Sequence, residues 1–294
     1  MFEFRSPSSS DRATSSERGR GANPKRRVPF SLARFAEMLE ERTLLSATMG
    51  PEQFPARVPL IGDSLQGASI TPQLAQSGPL IHIDQFRADP IFAGIDGTGF
   101  STVIIDTGID LNHPFFGPDS DNNGVADRIV YSYDFSDDDD SDASDFDGHG
   151  SNVASIAASS DGTYTGMAPG ANIIALKVFP DDPSSGASIV DIVQALDWVV
   201  AHVDQYNIAS VNLSLGGGFY TTAQTGGYLA SDFAALVAKD VFVVSASGND
   251  FYGNNSQQGV SYPAADVNSL SIGAVYDGNV GGFSYASGAI AYST

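Results

Sequence analysis

From Gly97 onward the chain alternates short apolar runs with amphipathic stretches, and this narrows the fold more than any other feature. The runs at Thr102–Ile105, Ile173–Val178, Ser210–Leu215, Val241–Ser245 and Leu270–Val275 read as strands buried on both faces. The clearest helix lies over Ser188–Val203. There Ile189, Ile192, Val193, Leu196, Val199, Val200 and Val203 recur at helical spacing, and Ser188 with Asp191 resembles a capping box. Further helices are expected at Tyr228–Lys239 and from His149. Strand-helix alternation predicts an α/β fold, an open parallel sheet with helices on both faces. Such sheets bind ligands at the carboxyl ends of their strands. Asp106, Ser214 and Asn249 all fall at or just past such ends.

Charge divides the chain. Residues 1–43 hold nine Lys/Arg and six Asp/Glu, whereas residues 44–294 hold five and 29. A body this acidic has no basic patch for phosphates, which argues against nucleic acid and anionic membranes as partners. It suits divalent cations or a salty exterior, although charge for solubility explains most of these residues equally well. The 294 residues contain no cysteine, so neither disulfides nor thiol chemistry operate. No apolar run reaches the ~18 residues of a membrane span.

Residues 1–48 read as a disordered basic leader without the apolar core of an ordinary secretory signal. Within them, Leu39-Glu-Glu-Arg-Thr-Leu-Leu-Ser-Ala47 resembles a leader motif of large exported bacterial proteins. That resemblance implies a secreted or cell-surface bacterial protein; a short amphipathic helix is the plainer reading. Residues 49–95 carry prolines at 51, 55, 59, 72, 79 and 90 and are expected to be a linker or reduced pro-segment. Residues 96–294 form the main domain.

Three residues could carry chemistry. His149 stands between two glycines at a helix start, and an imidazole with a pKa near ~6.5 exchanges protons at neutral pH. Asp106 ends an apolar run before Thr-Gly and could orient an imidazole; Asn249, in a Ser-Gly-Asn-Asp turn, could donate to an oxyanion. Each alone is as well explained as a turn residue.

Together, and in this order, they resemble the subtilisin-like serine proteases. The likeness runs from about Ile95 to the C-terminus. It includes Asp106-Thr-Gly-Ile-Asp110, His149-Gly-Ser-Asn-Val-Ala154, Gly166-Met-Ala-Pro-Gly170, Val211-Asn-Leu-Ser-Leu-Gly-Gly217, Ser245-Ala-Ser-Gly-Asn249 and Ser261-Tyr-Pro-Ala264. It implies that Asp106 orients, His149 is the general base and Asn249 is the oxyanion donor. Ser214, Leu215 and Gly216 would pair backbone to backbone with an extended polypeptide. Two departures stand out. Asn152 occupies the place of the family's second histidine. The Gly-Thr-Ser-Met-Ala block that bears the nucleophile has no counterpart in residues 1–294, and Ser151 and Ser247 take non-nucleophilic positions. The expectation is a subtilisin-like domain whose C-terminal part is missing, inactive as it stands, with the block encoded roughly 40–70 residues downstream. The alternative is a non-catalytic peptide-binding module or a calcium-stabilised surface segment.

A calcium loop is suggested by Asp119, Asp121, Asn123 and Asp127, oxygen ligands at positions 1, 3, 5 and 9 with Gly124 at position 6. The expected Glu at position 12 is Val130, leaving Asp134 or a residue of 137–147 to complete the shell. An ion-free acidic turn is the competing reading.

Overall fold

The computed structural model describes residues 57–58, 74–136, 139–182 and 185–275. The leader and its motif lie outside these residues. In chain order the elements are β1 (Arg57–Val58), α1 (Leu74–Leu80), α2 (Ile83–Ala88), β2 (Ser101–Asp106), β3 (Ile129–Asp134), α3 (His149–Ala158), β4 (Asn172–Lys177) and β5 (Ala187–Ser188). Then follow α4 (Ile189–Tyr206), β6 (Ile208–Leu213), β7 (Gly217–Tyr220), α5 (Ala230–Val237), β8 (Phe242–Ala246), β9 (Val260–Tyr262) and β10 (Leu270–Ile272).

Six strands form one parallel sheet in the order β10-β8-β6-β2-β4-β3. The five expected strands are all in it, with small shifts at their ends, but β10 is not buried as its apolar run predicts: it lies at a sheet edge, with Leu270 38% and Ile272 53% exposed. The sixth, β3, is not among the expected strands: its Ile-Val-Tyr-Ser-Tyr-Asp sequence overlaps the acidic stretch that reads as a loop. It lies at a sheet edge, and edge strands need no continuous apolar run. Ser188 caps α4 by accepting from Val190 N, and the helix runs to Tyr206, beyond the expected Val203.

Helices cover both faces, as the alternation predicts. Val103, Ile105, Ile174, Leu176, Val211 and Leu213 point into a core shared with α4 and α5. Ile104, Ile173 and Ala175 point the other way, against Ala154 and Ala158 of α3. Alternate residues of a strand share a face, so Asp106, two after Ile104, falls on the α3 side. The pleat thereby aims the carboxylate at the helix that begins with His149.

The expected linker is not featureless. It carries α1 and α2, and Arg87 of α2 donates to Gly166 O at 2.5 Å. Among the described residues no helix is long and apolar enough to cross a membrane.

Candidate active site

The site is the junction between the carboxyl end of β2 and the first turn of α3. Two glycines make it possible. Gly148 has φ +97, a left-handed conformation that a side chain would strain. Gly150 is needed for space: a Cβ there would stand 2.1 Å from Gly108 O. The glycines around His149 thus do more than keep its surroundings open. They let the helix start abut the β2 turn.

Across that contact His149 Nδ1 lies 2.7 Å from Asp106 Oδ1. Asp106 Oδ1 also accepts from Thr107 N at 2.8 Å. A carboxylate can only accept, so Nδ1 carries the proton and Nε2 is the ring nitrogen that can take one up. Asp106 is 1% exposed and the His149 side chain 18%. The pair is sunk in the fold with the imidazole still reachable. Burial pushes the Asp106 carboxyl above the ordinary carboxylate range, opposed by the hydrogen bond and charge of His149 and by Thr107 N–H. Its Oδ2 is buried with no hydrogen-bond partner among the described residues.

The other candidates share the rim. In a parallel sheet all carboxyl ends lie at one edge, so the segment after β6 emerges beside the end of β2 and the segment after β8 beside the end of β6. Ser214, Leu215 and Gly216 follow β6. Asn212 Nδ2 donates to Ser214 Oγ at 2.9 Å, and the Leu215 side chain is fully buried in the α4/α5 core. Gly216 is buried as well, and Ser214 is half-buried. Asn249 follows β8, after Gly248, where a Cβ would stand 2.3 Å from Ser261 Oγ.

Sequence reasoning missed the scaffold behind the pair. Asp145 Oδ1 accepts from Thr107 Oγ1 at 2.9 Å and Gly148 N at 2.8 Å. Its Oδ2 accepts from Ser151 N and Ser151 Oγ at 2.8 and 2.6 Å. Ser151 is therefore committed to the scaffold. An Asp shortly before a helix start is a legible capping signal; its bond to Thr107, 38 residues away, is not.

In the acidic loop, Asp119, Asp121 and Asp127 converge, with carboxylate oxygens within 4.8 Å of one another. Asn123 braces the loop: its Oδ1 accepts from Val125 N and its Nδ2 donates to Asp121 Oδ2. Asp134 is buried in β3, where its Oδ1 accepts from Ser136 N and Oγ.

The subtilase family (peptidase S8) pattern matches residues 97–292, two thirds of the sequence and all of the sheet. The chain belongs to the subtilase family. Subtilase relatives include a subtilisin-like protease of Coccidioides posadasii, 36% identical over 126 residues, covering 42% of this chain and 28% of that protein. The major intracellular serine protease of Bacillus subtilis is 27% identical over 190 residues, covering 62% of this chain and 53% of the relative. The chain thus spans about half or less of these subtilases. Among solved structures, fervidolysin of Fervidobacterium pennivorans, a keratinolytic enzyme related to subtilisin, superposes with a TM-score of 0.52 at 19% identity. That superposition covers 81% of this chain and 34% of fervidolysin, and it bears on the fold.

Proposed function

We propose that this subtilase chain supplies the base, the oxyanion donor and a substrate-pairing strand of a serine endopeptidase. The observation that carries the reading is the 2.7 Å contact between Asp106 and His149. In the reaction, His149 Nε2 takes the proton of a serine Oγ as that oxygen attacks the scissile carbonyl carbon. The carbonyl oxygen gains negative charge, and the Asn249 amide donates to it. Collapse of the intermediate expels the amine, which takes the proton back from His149, and water repeats the sequence on the acyl ester. Asp106 keeps Nδ1–H oriented and stabilises the imidazolium. The serine belongs to the family's Gly-Thr-Ser block, which residues 1–294 do not include.

The main chain of Ser214, Leu215 and Gly216 holds the substrate as an added extended strand. Strand addition reads backbone, so it tolerates many sequences. Residues 1–48 act as an export leader of a secreted or cell-surface bacterial protein. Residues 49–95 connect it to the peptidase part, 96–294, a boundary supported by the start of the family match at 97.

Asp119, Asp121 and Asp127 hold a structural calcium ion. Calcium takes oxygen ligands at about 2.3–2.6 Å, so ligands on opposite sides of an ion held there would stand about 4.8 Å apart. The observed convergence fits that size. Bound there, the ion supplies positive charge that relieves repulsion among the three carboxylates.

The test is fluorophosphonate labelling of the protein isolated from its native host. Labelling at a serine, lost on His149→Ala, is expected. An unlabelled protein that still binds extended peptides would replace catalysis with the binding-module reading.

A further inference from the structure

We infer that Asp145 is a positioning residue for the Asp106–His149 pair, its carboxylate holding the end of β2 and the first turn of α3 in the register where imidazole meets carboxylate. The inference rests on the proposed role of that pair as the catalytic base.

The argument is one of connectivity. Five donors converge on Asp145. Oδ1 receives Thr107 Oγ1 (2.9 Å), Gly148 N (2.8 Å) and Asp147 N (3.1 Å). Oδ2 receives Ser151 N (2.8 Å) and Ser151 Oγ (2.6 Å). Thr107 adjoins Asp106, while Gly148 and Ser151 bracket His149. Two of these donors pass the connection on. Thr107 Oγ1 accepts from Gly150 N at 2.9 Å, and Ser151 Oγ accepts from Asp110 N at 2.9 Å. The strand end and the helix start are thus stitched together on both sides of the catalytic contact.

An ionised carboxylate is the group the position demands. Both oxygens meet a backbone N–H, which cannot turn away or reverse its role. Asparagine has almost the same shape, but either orientation of its amide sets an NH2 group against one of those N–H donors. The loss therefore falls on geometry and not on volume. Burial opposes a charge on Asp145, but the bonds from Ser151, Gly148 and Thr107 outweigh it and hold the carboxyl below its ordinary range.

The test reads the contact itself. The 294-residue chain contains four histidines, so selective 15N-histidine labelling yields a small spectrum, assigned with His149→Gln. An Nδ1–H held by a buried carboxylate gives a far-downfield proton resonance. Asp145→Asn should abolish that resonance or move it upfield while the amide spectrum stays that of a folded protein. Ser151→Ala, which strips the hydroxyl alone, should move it the same way by less. Asp147→Asn is the control for charge, since Asp147 lies two residues from His149 and Asp145 four. It should leave the resonance in place. A resonance unchanged in Asp145→Asn overturns the inference, and so does an equal displacement by Asp147→Asn. If Asp145→Asn does not fold, an unmoved resonance in Ser151→Ala overturns it as well. A wild-type chain without the resonance removes the Asp106–His149 pair itself, a failure distinct from that of Asp145.

Discussion

Two groups of carboxylates in this chain obey opposite physics. Asp106 is buried, and its imidazole partner lies 43 residues away. Asp127 is exposed, and both of its oxygens accept from Ser120, seven residues away. Burial raises the first above its ordinary range; hydrogen bonds from Ser120 lower the second. The fold opposes the charge on Asp106 and the local loop favours the charge on Asp127. The contrast separates a carboxylate paired across the fold from one held by its own loop.

The comparison breaks most visibly at His149. In the serine-bearing protein, His149→Ala should lower kcat by about 10⁶, the size established for subtilisin itself, measured by steady-state peptide hydrolysis. Asp106→Asn should lower kcat by about 10⁴, again by analogy with subtilisin and other serine proteases. The same Asp106→Asn variant should melt at a higher temperature than the parent near neutral pH. A carboxyl whose folded pKa is raised supports the fold most fully below its unfolded value, and that support is lost as pH rises through the folded value. The gain should therefore shrink toward pH 3.8, the unperturbed value. A gain that instead grows in acid would contradict the burial argument.

Effects at the acidic loop should be smaller. Calcium at a hundredfold excess over its dissociation constant should stabilise the parent by about 2.7 kcal/mol. It should do nothing for Asp119→Asn/Asp121→Asn, as read by thermal melts with and without chelator. Isothermal titration without heat of binding would remove the ion from this loop. The smallest effect belongs to Asp127→Asn in chelator. A lowered carboxyl contributes stability above its unfolded pKa and loses it as pH falls through the folded value. The variant should melt slightly lower at neutral pH, and the gap should close below pH 3.8. Opposite pH trends in Asp106→Asn and Asp127→Asn would make the contrast quantitative.

Legibility in the sequence followed the range of the interactions. The buried strands were readable because an apolar run declares its own burial, and α4 because its spacing and Ser188 cap are local. β3 was unreadable because Ser132 and Asp134 interrupt its apolar run and its pairing with β4 is decided by a partner some 40 residues on. In the acidic loop, the ligand spacing singled out Asp119, Asp121, Asn123 and Asp127. The hydrogen bond from Val125 N to Asn123 Oδ1 is a local brace that the ligand spacing does not express.

By itself the sequence determined the strand-helix alternation, the glycines around His149 and the order of Asp106, His149 and Asn249, since each resides in a few adjacent residues. Only the tertiary structure decided that the pleat of β2 turns Asp106 toward α3, that Gly150 lets the helix close on Gly108 O, and that Asp145 ties Thr107 to Ser151. Those contacts join segments some 40 residues apart. Their geometry comes from packing α3 on the sheet, which no single segment encodes.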